Sequence, residues 1–252
     1  MLDAAWLGGR LPGRAIHCLE STPSTMTDLA KLAAEGARHG TIVIADRQTA
    51  GQGRHGHGWH SEPGAGLYLS ILIRPEFAIE STPALTLAIG LAARDALRDL
   101  AGVECDLRWP NDLMLGGRKC GGILVHLLYR AALAGIGVNL NHESFPRDLA
   151  DSATSLRIET GRDHLREPLA AAIAEAVDAR CAVLAKHGPR PVIAEFSRVS
   201  SYARGLRVTV DRPEGPLHGE TAGLDANGFL LVRDGDGRVV TVLAGGVRPA
   251  RS

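Results

Sequence analysis

The chain has 252 residues with 28 basic (Lys and Arg) and 28 acidic (Asp and Glu) side chains, a formal charge of zero at pH 7, so no overall basic field exists to hold DNA or an anionic membrane surface. Four scattered cysteines (Cys18, Cys105, Cys120, Cys181) lack the paired spacing of a zinc motif or a disulfide framework, which suits a reducing cytosol. The length can bury a sizeable core and fits one large domain plus a small one.

In chain order, residues 1–10 show no basic region followed by a long apolar stretch, so a signal peptide is not expected. Ile16 to Leu19 reads as a first short strand. A helix follows, with Met26, Leu29, Ala30 and Ala33 on one face. The apolar run Thr41 to Ala45 is a buried strand, as is Gly66 to Ile73. Thr82 to Leu100 is a helix, and its most apolar part, Ala84 to Ala93, is too short to span a bilayer. Strands are then expected at Cys105 to Arg108, Gly122 to Tyr129 and Ala131 to Leu140, the last two pairing as a hairpin. An Ala-rich helix over 163–187 and a second over Val192 to Val199 complete a mixed sheet with helices rather than a regular α/β alternation.

Composition shifts near residue 201. Short strands at Leu206 to Val210, Leu217 to Leu224, Phe229 to Arg233 and Arg238 to Leu243 are joined by turn-rich connections, among them Asp211 to Pro216. They predict a small barrel-like module over 201–252 after a larger domain over 1–200. Such a module alone says nothing about function.

The most informative segment is Gly51 to Gly66, in which six of sixteen residues are glycine, interleaved with Arg54, His55, His57 and His60 and with Trp59. Glycine permits close backbone approach and positive φ; cations and free N–H groups between the glycines suit a phosphate. Gly51, Gly53 and Gly56 match the spacing of a dinucleotide-binding fingerprint. That motif must open a helix, and residues 56–66 are dense in helix breakers, so the match is a coincidence. No P-loop pattern exists elsewhere.

A second segment, Arg108-Trp-Pro-Asn-Asp-Leu113, is followed by Gly116-Gly-Arg-Lys-Cys-Gly-Gly-Ile-Leu124. Together with Gln48-Thr-Ala-Gly-Gln-Gly-Arg54, these blocks resemble the biotin protein ligases in order and spacing. Ser24-Thr-Met26 stands where that family places a biotin motif, and Gly135-Ile-Gly-Val-Asn139 resembles a Gly-Ile-Gly-Asn strand of the family. The resemblance runs from about residue 15 to about 248. It implies an α+β fold with a mixed, mainly antiparallel sheet and flanking helices, similar to class II synthetases, plus an SH3-like C-terminal barrel.

The resemblance also implies a chemistry. A biotin carboxylate attacks the α-phosphorus of ATP to give biotinyl-5′-AMP and pyrophosphate, and a lysine of a biotin carboxyl carrier protein then displaces AMP. Both steps put negative charge on phosphate oxygens, so fixed cations must face them. Arg54 and Lys119 are the expected catalytic pair. Biotin would be held by Ser24, Thr25, Met26, Gln48, Gln52, Gly53, Arg54 and Lys119, and ATP by Arg54, His57, Trp59, Asn111, Lys119 and Asn139. Mg2+ is expected with ATP, Asp112 being the nearest carboxylate. The acceptor would belong to a biotin-dependent carboxylase, in the cytoplasm, with no DNA or membrane partner; a homodimer is left open.

Each residue also has a plainer reading. Thr25-Met-Thr-Asp28 fits a capping box; Gln48 ends a strand; Trp59, Trp109 and Pro110 can be packing or turn residues; Lys119 lies at an expected hairpin tip. The chain also departs from the family pattern: Gln52 replaces a common loop arginine, His55 and His57 stand where arginine is frequent, Arg108 replaces a lysine, and His126 a glutamate. A lipoate or octanoate ligase of the same fold is the alternative. A ligase doubling as a DNA-binding repressor would need a helix-turn-helix domain ahead of Ser24, and the expectation is a monofunctional type without one.

Overall fold

The computed structural model describes residues 2–75, 82–128, 130–212 and 214–250. Tyr129, the expected end of a strand, and Pro213, in an expected turn, lie outside the described residues. The elements are α1 (Ala4–Arg10), β1 (Ile16–Thr22), α2 (Thr25–Ala34), β2 (Ile42–Gln48), β3 (Gly66–Ile73), α3 (Thr82–Ala101), β4 (Asp106–Arg108), β5 (Asp112–Leu115), β6 (Arg118–Leu128), β7 (Ala131–Asn139), α4 (Leu156–Thr160), α5 (Arg166–His187) and α6 (Arg190–Val199). The C-terminal strands are β8 (Arg204–Val210), β9 (Leu217–Leu224), β10 (Leu230–Asp234), β11 (Val239–Val242) and β12 (Val247–Pro249).

A seven-stranded sheet runs in the order β1-β2-β3-β7-β6-β5-β4. Only β1 and β2 pair in parallel, joined by α2; every other pair is antiparallel. This is the expected mixed, mainly antiparallel sheet. Alternation along each strand sorts side chains onto its two faces. On β3, Leu67, Leu69, Ile71 and Ile73 join the main core with α3 and α5, whereas Leu72 joins a smaller cluster under α2. On β7, Ala132, Ala134, Ile136 and Val138 face the main core; Ala131 and Leu133 face α2. Continuing along that second face, the next two residues are Gly135 and Gly137. The apolar floor gives way to bare backbone, and a cleft opens there.

Several elements differ from the sequence expectation. Helices α1 and α4 and strands β5 and β12 went unread, being short and weakly periodic. Strand β6 starts at Arg118 rather than Gly122, because the tip of the β5–β6 hairpin is Gly116-Gly117, both at positive φ (57° and 77°), as a tight two-residue turn demands. Lys119 therefore lies within a strand, not at the tip. Helix α5 starts at Arg166 instead of 163, since His164 is held by Asn141: its N–H donates to Asn141 Oδ1 at 2.8 Å.

The C-terminal strands form a five-stranded antiparallel sheet, β11-β10-β9-β8-β12. Its inward residues Val208, Val210, Leu230, Val232 and Val247 are contiguous with the main core. The buried Trp109 indole N–H donates to Gly228 O at 2.9 Å, fastening the Trp-Pro-Asn-Asp turn to this sheet.

Candidate active site

One cleft of about 730 Å³ is lined by α2, the loop 51–59, the glycine face of β6 and β7, the turn at residues 108–112, and the C-terminal sheet. Its two ends differ in chemistry.

At the neutral end, Ser24, Thr25 and Met26 begin α2, and all three are buried. The expected capping box is not formed. Gln48, at the end of β2, supplies the cap instead: its Oε1 accepts from Thr25 N at 2.9 Å and from Thr25 Oγ1 at 3.1 Å. Asp28, the expected reciprocal partner, accepts from the Thr22 hydroxyl. This arrangement orients the Gln48 amide, whose Nε2 donates to Ser61 Oγ at 3.1 Å. Thr25 Oγ1 also meets the buried Ser70 Oγ at 2.8 Å. Ser24 Oγ, by contrast, is buried beside the cleft without a partner among the described residues, and an unsatisfied buried hydroxyl costs about 1–3 kcal/mol. Met26 packs on Gly135, where an added Cβ would meet its sulfur at 2.9 Å.

At the cationic end, Asp112 gathers two cations. Arg108 donates to its Oδ2 from Nη2 at 2.6 Å and Nε at 3.1 Å, while Lys119 Nζ lies 2.5 Å from Oδ1. Arg54 joins through Asn111, donating from Nη1 to Oδ1 at 3.2 Å, and Asn111 Nδ2 is anchored on Ile123 O at 2.9 Å. Burial draws the Arg54 guanidinium pKa down, and Asp112 opposes that shift. Three cations thus converge with one carboxylate among them, a set able to receive a polyanion.

The glycine-rich loop is a small hairpin: Trp59 N donates to Gly51 O at 2.9 Å, Gly53 N to His57 O at 2.8 Å, and a turn at Arg54–Gly56 closes the tip. Gln52 bridges Gly58 through its backbone and turns its side chain toward Thr27. The Trp59 ring lies on Gly122 and Gly137, which face each other across β6 and β7. A Cβ at Gly137 would come within 2.5 Å of that ring. Lys119 Nζ sits 5.5 Å from the ring centroid, within cation–π range.

All the expected site residues line this cleft except one. The exception is Asn139: it is buried, and its amide donates to Thr154 O at 3.0 Å, a tie that the Gly-Ile-Gly-Val-Asn resemblance could not distinguish from a ligand contact. Asp112, expected as a turn cap or a magnesium ligand, has both oxygens engaged by Arg108 and Lys119. Sequence reading missed the C-terminal contribution. Asp211, Arg212, Gly245, Gly246 and Arg248 line the cleft, and the buried Arg212 Nε has no partner among the described residues. The signal was present in Gly245-Gly-Val-Arg248, which pairs glycine with arginine as the first loop does.

Comparison with known proteins places the chain in a family. Residues 18–142 match the model of the biotin/lipoate A/B protein ligase family, and 205–247 match the biotin protein ligase C terminal domain. The chain is 34% identical over 228 residues to the bifunctional ligase/repressor BirA of Bacillus subtilis, covering 87% of this chain and 68% of that protein. It is 34% identical over 240 residues to the biotin–[acetyl-CoA-carboxylase] ligase of Mycobacterium tuberculosis, covering 93% and 88%. Among solved structures, the biotin protein ligase of Aquifex aeolicus in complex with biotin and ATP superposes with a TM-score of 0.85 at 28% identity, covering 94% of this chain and 99% of that one. The chain belongs to the biotin/lipoate A/B protein ligase family, among its biotin protein ligases.

Proposed function

We propose that this chain is an ATP-dependent biotin protein ligase whose cleft holds biotin at its neutral end and the phosphates at its cationic end. The carrying observation is that polarity: an unpartnered buried hydroxyl and an oriented amide at one end, and three converging cations at the other. The ureido group of biotin both donates and accepts, so Ser24 and the Gln48 amide suit it, while Met26 and the glycine face of β7 accept the apolar rings. The valeryl carboxylate then points toward Lys119.

In the first step a carboxylate oxygen attacks the α-phosphorus and pyrophosphate leaves, giving biotinyl-5′-AMP. Lys119 follows the charge from carboxylate to phosphate as a mobile point cation, whereas Arg54 offers a planar fork from the loop. Asp112 holds Arg108 and Lys119 in place and offsets what would otherwise be a bare cluster of like charges. In the second step an uncharged lysine amine attacks the carbonyl carbon, AMP departs, and the amine loses a proton as the amide forms. The acceptor lysine belongs to the carrier domain of a biotin-dependent carboxylase. We assign the chemistry to residues 1–200, with 201–252 closing the phosphate end through Arg212 and Arg248. The Asp112 carboxylate, already shared by two cations, is a poor magnesium ligand; Mg2+ would enter on the ATP phosphates.

The test is transfer itself. With ATP, magnesium, biotin and a purified carboxyl carrier domain, one lysine of the carrier should gain biotin; an unmodified carrier alongside rapid transfer of lipoate would refute the reading.

A further inference from the structure

Among the residues that do not line the cleft is a cluster the ligase chemistry does not use. His60 and Glu62 leave the glycine-rich loop, and His142 follows β7. One ligand atom from each lies within 4.8 Å of the other two. His142 is 0% exposed, and neither ring nitrogen has a partner among the described residues. Two imidazole nitrogens buried and unsatisfied are costly unless something occupies the space between them and their neighbours. Phe145 stacks on the His142 ring, with centroids 5.0 Å apart and planes 19° apart, which fixes its orientation.

We propose that His60, Glu62 and His142 bind a divalent transition-metal ion, zinc by donor preference, with water as a fourth ligand. Two imidazoles and one carboxylate are a common zinc set with an open position, whereas magnesium and calcium favour oxygen donors alone. Ligand atoms bound at about 2.0–2.1 Å in tetrahedral geometry lie about 3.3 Å apart. His60 Nε2 and Glu62 Oε2 are 4.0 Å apart, and their side chains are 32% and 53% exposed, so both can rotate inward on the fixed His142. The nearby cations do not compete for Glu62, because Arg157 pairs with Glu143 and Asp163, and Arg166 with Asp46.

The position gives the ion a consequence. His60 follows Trp59 directly, and the Tyr68 hydroxyl already holds Glu62 O at 2.9 Å. A metal joining His60 and Glu62 to His142 would clamp the returning leg of the ligand loop onto the end of β7, leaving its tip at Arg54–Gly56 free.

The test titrates chelator-stripped full-length protein with zinc chloride against a chromophoric chelator, and repeats the titration with His60→Ala and Glu62→Gln. Both positions are partly exposed, so the variants should keep the wild-type fold by circular dichroism. The expected result is one zinc per chain at micromolar affinity or tighter, weakened by roughly tenfold or more in each variant, with slower amide exchange across residues 59–64 in wild type. No stoichiometric binding, or binding that both variants retain, would overturn the site. Zinc binding without slower exchange would overturn the clamp.

Discussion

The two ends of the cleft are held in opposite ways. The neutral end is built from elements of the fold: α2 begins there, β2 ends there, and Thr25, Gln48 and Ser70 fix one another through hydrogen bonds of 2.8–3.1 Å. The cationic end gathers Arg54 from a loop, Arg108 and Asp112 from the ends of β4 and β5, and Lys119 from the start of β6, and its cations rest on Asp112 and Asn111, groups that an incoming phosphate can displace. The first end is preorganised for a neutral ligand of fixed shape. The second is provisionally satisfied, so ATP meets cations that are positioned but not left bare. On the proposed reading, recognition belongs to the first end and rate to the second.

The largest expected effect breaks the second end. Lys119→Ala should lower biotin-dependent ATP–pyrophosphate exchange by roughly a hundredfold or more, as for loss of one donor to transition-state charge. Biotin affinity, measured by calorimetry, should fall much less; equal losses in binding and rate would make Lys119 a binding residue only. Next is Gly137→Ala, which joins the two ends. Its methyl group would collide with the Trp59 ring, and overpacking of this kind costs about 1–3 kcal/mol. Adenylate affinity should drop by roughly tenfold or more, and Trp59 emission should change; an unaltered spectrum with unaltered affinity would remove the ring from the floor of the cleft.

How far these residues could be read from sequence depends on how local their cause is. The alternation in β2, β3 and β7 is a near-neighbour pattern, so those strands and their core faces were legible. The cap of α2 was not, because Gln48 reaches Thr25 across 23 positions and replaces a local box that the sequence favours. Lys119 was identified by resemblance but misplaced at a hairpin tip, since nothing local announces that Gly116-Gly117 forms the turn. Arg212, Arg248 and the pairing of His60 with His142 arise only when distant segments meet. The same holds for Cys105 and Cys120, read as scattered, whose buried sulfurs are 3.7 Å apart.

Two smaller effects sharpen the contrast. Arg54→Gly should release biotinyl-AMP roughly tenfold faster, in line with losing a charged hydrogen bond of about 1.5 kcal/mol, the low end for such bonds. Released adenylate would acylate bystander proteins, and a blot for biotin on added albumin would show it. Unchanged retention would take the loop out of adenylate binding. Ser24→Ala should weaken biotin about fivefold, as for one neutral hydrogen bond. It should also raise the melting temperature slightly, because the wild-type hydroxyl is buried without a partner among the described residues. A fall in both would mean that Ser24 serves the fold rather than the ligand.

Exchange of labelled pyrophosphate into ATP tests, without any carrier protein, whether this cleft adenylates biotin. With magnesium and ATP present, exchange should appear on adding biotin and not on adding lipoate or octanoate. Exchange supported by lipoate or octanoate and not by biotin would contradict that reading.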